Sequence, residues 1–279
     1  MTQHTDLSAR ARLFHALHQG PAPLVLPNAW DAASARIVQA AGAAAVATTS
    51  SGVAWSLGAP DGDRLARDLA LGLVARVAAA VEVPVTADVE SGFAEDPAGV
   101  GETVRAVVEA GAVGVNLEDS HHGGPVPLRA VTDQAERLAA ARKAGEALGV
   151  PVFVNARVDV FLRGRELPRP EAVRETLTRA AAYLAAGADG VFVPGVTEPA
   201  LVAELAAGLD APLNVLAGPG APPVAELAAA GARRISVGSG LAQAAYSLAD
   251  RAARELLTAG TYTELAGAHG SRRLNELMS

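Results

Sequence analysis

The stretch Ala110-Gly111-Ala112-Val113-Gly114-Val115-Asn116-Leu117-Glu118-Asp119 carries the fold in miniature. A glycine just after a helical run supplies the left-handed residue that ends a helix. The apolar run behind it is continuous rather than alternating, as buried parallel strands are. Two acids close it. The same Ala-Gly-Ala phrase recurs at Ala41-Gly42-Ala43, Ala186-Gly187-Ala188 and Ala230-Gly231-Ala232. It alternates with a second phrase, a proline before a short apolar run: Pro23-Leu24-Val25-Leu26, Pro84-Val85-Thr86-Ala87, Pro151-Val152-Phe153-Val154 and Pro212-Leu213-Asn214-Val215. Proline is tolerated at the first residue of a strand, so both phrases mark strand entries.

Interleaved, the phrases predict eight strands near 24–27, 44–48, 84–88, 113–117, 151–155, 190–193, 212–216 and 234–237. Between them lie Ala- and Leu-rich runs with helical spacing, such as Val100, Val104, Val107 and Val108. Eight strand–helix units in series predict a (β/α)8 TIM barrel within the α/β class. The competing doubly wound sheet lacks its Gly-x-Gly-x-x-Gly after the first strand. An extra amphipathic helix over 1–20 (Leu7, Ala11, Phe14, Leu17) is expected to cover the barrel's N-terminal mouth. A polar tail spans about 260–279, and the absence of any linker makes 1–279 one expected domain.

Barrel active sites lie at the C-terminal ends of the strands. There the sequence places Asp88-Val89-Glu90, Glu118-Asp119 and Asn155-Ala156-Arg157-Val158-Asp159. Residues two apart on a strand share a face, so Asp88 pairs with Glu90, and Asn155 with Arg157 and Asp159. Converging carboxylates repel one another unless a cation neutralises them. An oxygen-only set predicts a hard ion, Mg2+, with Mn2+ as its substitute. Asp119 is alternatively an N-cap for the next helix. Arg157 suits either a substrate carboxylate or phosphonate, or an ion pair with Asp159 or Glu118. Ser51-Gly52-Val53 offers backbone N–H groups to an oxyanion or carboxylate. Gly218 lies in Ala217-Gly218-Pro219-Gly220, where many barrels bind phosphate and where a plain tight turn is equally natural. His121-His122, followed by Gly123-Gly124-Pro125, reads as a mobile loop in a solvated or gating role.

These motifs resemble the isocitrate lyase/phosphoenolpyruvate mutase superfamily, from Pro27-Asn28-Ala29-Trp30-Asp31 through Ser56-Leu57-Gly58-Ala59-Pro60-Asp61 to Gly238-Ser239-Gly240. The resemblance implies Mg2+-dependent chemistry on α-keto or 2-hydroxy acids through enolate-like species. It implies that Asp61, Asp88, Glu90 and Glu118 hold the ion, mostly through waters. Ser51 and Gly52 would bind the carboxylate of a pyruvyl unit, and Arg157 the distal anion. It also implies an eighth helix exchanged between subunits of a homodimer or homotetramer. The departures are specific. The lyases carry Lys-Lys-Cys-Gly-His or Lys-Arg-Cys-Gly-His after the strand-four Glu-Asp, and here Ser120-His121-His122-Gly123-Gly124 follows. Their Phe-Pro-Glu after strand six is Val193-Pro194-Gly195, and the usual Asp-x-Asp is Asp88-Val89-Glu90.

Composition narrows the chemistry further. The chain has no cysteine, which excludes disulfides, thiolate metal sites and a thiol acid or nucleophile. Its one lysine, Lys143, sits on a polar-faced helical run, which argues against Schiff-base catalysis. A net charge of −7 argues against nucleic acid or an anionic membrane surface as partner. No apolar run reaches the roughly 20 residues that span a bilayer. The start lacks a secretory pattern, so the expected location is cytoplasmic.

The expected function is a Mg2+-dependent lyase or hydrolase of a small α-keto acid, oxaloacetate- or phosphonopyruvate-like, with Asp61, Asp88, Glu118 and Arg157 as its catalytic residues. Cleavage of a 2-hydroxy di- or tricarboxylate resembling methylisocitrate, without a catalytic cysteine, is the second reading. A flavin-binding or non-catalytic barrel is the third.

Overall fold

The computed structural model describes residues 2–164 and 167–279. Nine strand segments form one parallel sheet: β1 (Leu24–Leu26), β2 (Asn28–Ala29), β3 (Val46–Thr48), β4 (Val85–Asp88), β5 (Gly114–Glu118), β6 (Phe153–Arg157), β7 (Gly190–Phe192), β8 (Leu213–Leu216) and β9 (Ala232–Ser236). Their order is β1-β9-β8-β7-β6-β5-β4-β3-β2. Only Pro27 separates β1 from β2, and the two pair with opposite ends of the sheet. The sheet is therefore an α/β barrel, nearly closed, whose first strand is interrupted at a residue that cannot donate a ladder hydrogen bond. Asn28 bridges the break, donating to the Thr48 carbonyl at 2.9 Å and accepting from the Val237 amide at 3.0 Å.

The punctuation predicted from sequence has its physical counterpart. Gly42, Gly111, Gly187 and Gly231 all adopt φ between 99° and 105°, and each follows a helix. The helices are α1 (Thr2–Gln19), α2 (Ala32–Ala40), α3 (Ser50–Ser56), α4 (Arg67–Ala80), α5 (Pro97–Glu109), α6 (Val131–Ala147), α7 (Val160–Arg163), α8 (Arg169–Ala185), α9 (Pro199–Ala207), α10 (Val224–Ala229), α11 (Gly240–Thr258) and α12 (Ser271–Met278). Asp31 starts α2 with a reciprocal capping box: it accepts from the Ser34 amide at 2.6 Å, and the Ser34 hydroxyl accepts from the Asp31 amide at 3.0 Å. Asp96 caps α5 through the Gly99 amide at 2.8 Å. Lys143 is exposed on α6.

Helix α1 seals the barrel's N-terminal mouth; Met1, the first residue of the expected 1–20 helix, lies outside the described residues. Leu7, Ala11 and Phe14 are buried, and the Phe14 ring meets that of Phe153, the first residue of β6, edge-on at 5.5 Å. Burial of a Phe side chain contributes about 1.5–3 kcal/mol toward holding the helix there. Gly114 permits the approach, because a Cβ on it would stand 2.8 Å from the Phe14 ring. The tail ends in α12, which lies on α2 and accepts from Arg36 at the Leu277 carbonyl, 3.2 Å.

Of the 19 residues of α11 only Ala242 is buried, and Leu241, Tyr246, Leu248, Leu256 and Leu257 are exposed. No helix among the described residues is long and apolar enough to cross a membrane.

Candidate active site

The barrel register stacks the inward-facing side chains in layers. Glu118, Arg157 and Phe192 are consecutive neighbours across β5, β6 and β7; Asp88, Asn116, Asn155 and Gly190 are neighbours one layer down. The upper layer is the C-terminal rim, where the chemistry of such barrels takes place.

Arg157 is bound on three sides. Its Nη1 lies 2.6 Å from Glu118, and Nε and Nη2 grip Asp159 at 2.7 and 3.0 Å in a two-pronged pair. Burial opposes its charge, but Glu118, Asp159 and Asp88 outweigh that and strengthen it. Of the two roles predicted for Arg157, the ion pairs with Glu118 and Asp159 are formed. Asp119 holds this assembly from behind. Fully buried, it accepts from the Asp159 amide at 2.9 Å, Tyr183 at 2.9 Å and Arg179 at 3.2 Å. It is no helix cap; α6 begins after Ala130.

Glu118 also meets His122, whose Nε2 lies 2.6 Å from the carboxylate. Burial raises the Glu118 carboxyl above its usual range, while Arg157 and His122 pull it down. The hydrogen bond to Glu118 raises His122 in turn, against the cost of its own burial. His122 sits on a short hairpin, not a free loop: Ser120 bridges Leu128, and the Arg129 amide donates to the Asp119 carbonyl at 2.8 Å. Sequence reasoning missed the His122–Glu118 contact; the four-residue spacing was the only signal.

Asp88 ends β4, partly buried, and accepts from the Ser50 amide at 3.1 Å. Burial raises its carboxyl, opposed first by Arg157. The strand stops there, so Glu90 does not simply continue the Asp88 face. Glu90 takes φ 51° in the following turn, and its carboxylate accepts from the Asp63 amide. The Ser91 hydroxyl donates to Asp63 at 2.5 Å, closing a clamp between the turn and the 57–66 loop. Among the described residues Asp63, Glu90 and Phe93 are the three non-glycine residues with left-handed backbone, and all three lie in this clamp or beside it. Left-handed backbone of this kind clusters at functional sites. Burial pushes Glu90 up to about 8, with Asp63, Asp88 and Asp61 adding to the rise. Asp61 is exposed on the same loop and adds its negative field to Asp88 and Glu90.

The remaining predicted residues are scattered. Ser51 and Gly52 lie in the first turn of α3, where amides have no intrahelical acceptor. The Val53 amide is already used by the Thr49 carbonyl at 2.9 Å. Gly52 is packed so closely that a Cβ would sit 2.8 Å from Trp30. Asn155 lies inside the barrel rather than at its rim, donating to Asn116 at 2.9 Å and Asn214 at 3.1 Å. Gly218 is exposed and accepts the Ala221 amide in a turn at 3.0 Å.

A family model described as phosphoenolpyruvate phosphomutase matches residues 14–257. The chain belongs to that family. It is a lyase/mutase-like enzyme of the phosphoenolpyruvate mutase/isocitrate lyase superfamily. The solved structure of a provisionally named lyase/mutase from Burkholderia cenocepacia J2315 is similar over 98% of this chain and 96% of its own, at 40% identity and a TM-score of 0.90. The 2-methylisocitrate lyase of Escherichia coli is 29% identical over 75% of this chain and 70% of its own. At the level of fold alone, phosphonopyruvate hydrolase, solved with oxalate and Mg2+, matches with a TM-score of 0.83 at 22% identity, over 96% of this chain and 94% of its own.

Proposed function

We propose that this phosphoenolpyruvate mutase-family protein is a Mg2+-dependent lyase or hydrolase of a small α-keto acid, oxaloacetate- or phosphonopyruvate-like. The observation that carries the reading is Glu118 held between Arg157 and His122 at the rim, with Asp88 one layer below it and Glu90 in the turn that follows Asp88.

The donor chemistry fits the ion. Asp88, Glu90 and Glu118 are each pushed toward the neutral form by burial, and a cation beside them would offset that cost. Among the described residues no three His, Asp or Glu side chains converge tightly enough to hold an ion between them. Magnesium does not need that, since it keeps several waters and takes one or two carboxylates. Asp88 and Glu90 would hold it, with Asp61 and Glu118 through water, and Mn2+ would substitute. When bound, the ion supplies an electrophile for the oxygens of an α-keto acid.

The chain's own residues do the rest. Arg157 keeps Glu118 and Asp159 fixed and compensated; Asp119, Tyr183 and Arg179 keep Asp159 in place. The first-turn amides of α3 orient the substrate carboxylate. The Glu118–His122 pair shares a proton and delivers it to the substrate's methylene carbon as CO2 leaves an oxaloacetate-like substrate, or as water takes up the phosphoryl group of a phosphonopyruvate-like one. With no cysteine in the chain, this histidine takes the acid's role. The exposed apolar face of α11 pairs with a second subunit, as in an exchanged eighth helix, giving a homodimer or homotetramer.

The test is pyruvate release from oxaloacetate and phosphonopyruvate with Mg2+, in the wild type and Asp88→Ala. Turnover unchanged by Asp88→Ala, or surviving complete chelation, rejects the reading.

A further inference from the structure

The turn that carries Glu90 is held from the helix layer as well as from the sheet. Glu90 and Phe93 have left-handed φ of 51° and 49°, and Gly92 between them has φ 101°. Left-handed backbone at a residue other than glycine persists only where its surroundings over-determine it. Two restraints are local: the Glu90 carbonyl accepts from the Glu118 amide at 2.9 Å, and the Gly92 amide donates to the Val89 carbonyl at 2.7 Å. A third comes from α6. Arg137 donates through Nη1 to the Ala94 carbonyl at 3.1 Å and more loosely to the Ser91 carbonyl at 3.5 Å, and through Nη2 to the Glu95 carbonyl.

Stability alone does not account for an arginine at this place. Its side chain is 1% exposed, and the carboxylate it meets among the described residues is the half-exposed Asp133, 3.1 Å away. Buried ion pairs are often replaced by apolar side chains of similar volume without loss of stability. What an apolar side chain cannot supply is a planar fork of several donors, which meets the carbonyls of an irregular loop at fixed angles. The loop so gripped ends at the Asp96 cap of α5 and carries Ser91, whose hydroxyl donates to Asp63 at 2.5 Å. Asp133 faces the other half of the site. It also accepts from Arg129 at 3.3 Å, and the Arg129 carbonyl accepts from Arg179, which holds Asp119. Arg137 thus stands where the Glu90 turn and the Asp119 network meet.

We propose that Arg137 is a positioning residue of the site: it touches no substrate, and it fixes the left-handed turn so that the Glu90 carboxylate keeps one orientation after Asp88. The proposal rests on the reading of Asp88 and Glu90 as holders of the divalent ion, and it adds what keeps the second of them in place. A lysine at 137 retains the charge and loses the fork, so the turn gains freedom. Ordering Glu90 then falls to the ion itself, and its affinity drops by the cost of that ordering.

Two measurements on the full chain test it, with thermal melts beside them: titration with Mn2+ followed by its electron spin resonance signal, and deuterium exchange of peptides covering 89–96. Arg137→Lys should weaken Mn2+ at least fivefold and speed exchange in 89–96 at least fivefold, with the rest of the chain within twofold. Arg142→Lys is the control for a purely structural loss, since Arg142 lies on the same helix and donates to the carbonyls of Gly187 and Val152 instead. It should lower the melting temperature and leave both Mn2+ affinity and 89–96 exchange within twofold. Arg137→Met fills the volume without a donor and carries the same expectation as Arg137→Lys, should the lysine variant not fold. Exchange in 89–96 that is unchanged in a folded variant, or speeded equally along the whole chain, overturns the proposal. So does a Mn2+ affinity within twofold of a wild type that binds the ion. A wild type that binds no Mn2+ rejects the ion reading, and the hold of Arg137 on the turn is then decided by the exchange alone.

Discussion

His122 Nε2 and the Glu118 carboxylate lie 2.6 Å apart at the rim of the barrel, and the opposite oxygen of Glu118 lies 2.6 Å from Arg157. One carboxylate thus joins a proton carrier to a fixed cation. A positioned acid of this kind contributes on the order of 10²–10⁴ in rate. His122→Asn is expected to lower kcat by a factor in that range with little change in the binding of an inert oxalate probe. Steady-state kinetics beside calorimetry check it; equal losses in both would assign His122 to binding instead.

Removing Arg157 leaves two buried carboxylates, Glu118 and Asp159, without their shared counter-charge. Breaking a buried pair from one side costs about 3–5 kcal/mol. Arg157→Met should therefore lower unfolding stability in urea by roughly that amount, and Arg157→Lys by less, because lysine keeps the charge but not the two-pronged grip. Equal stability of Arg157→Met and the wild type would mean that the rim ion pairs are not formed.

Tyr183→Phe removes one of the three donors to Asp119 while leaving the ring packing intact. Loss of one hydrogen bond to a buried charge costs about 1.5–3 kcal/mol. The expected result is lower stability together with a fall in kcat, since Asp119 fixes Asp159 and through it Arg157. A stability loss with unchanged kcat would confine this network to the scaffold.

His18 ties stability to pH. It is buried on the inner face of α1, its Nδ1 donates to the Phe14 carbonyl at 2.8 Å, and its ring stacks on Phe153 at 3.9 Å. Burial, with Arg234 nearby, lowers its pKa from 6.5 to about 3. The folded state therefore holds His18 neutral where the unfolded chain is protonated. Its contribution is constant above pH 6.5 and is lost as the pH falls from 6.5 toward 3, at about 1.4 kcal/mol per pH unit. The stability difference between the wild type and His18→Phe, followed by urea unfolding across that window, should shift against the wild type as acid is added. A difference independent of pH would show His18 to be solvated.

Much of this architecture was legible because proline and glycine punctuate it. The Ala-Gly-Ala and Pro-apolar phrases mark the entry of every strand but β2, the short segment after Pro27, and the residues that end β4, β5 and β6 were legible as strand-end residues. Legibility stopped where long-range backbone geometry decides. The left-handed turn at Glu90 breaks the strand alternation that would have placed it beside Asp88. Pairing across the 120–128 hairpin turns His122 onto Glu118, and local composition reads the same segment as a loop. Asn155 shares its face with Arg157, but sits a layer lower and bonds only inside the barrel. Strand alternation gives a side chain's face and not its depth. The exposure of most of α11 was not readable from its helical pattern either, since an amphipathic helix has the same sequence whichever surface it covers.

The central claim is that the carboxylate rim works with a divalent ion on an α-keto acid. The most direct measurement is release of pyruvate from oxaloacetate and phosphonopyruvate by the purified protein, with Mg2+, with EDTA, and with Asp88→Ala. The account predicts turnover of at least one of the two with Mg2+, its loss in EDTA, its return with Mg2+ or Mn2+, and its absence in Asp88→Ala. Turnover that persists in EDTA, or that Asp88→Ala retains in full, would contradict it.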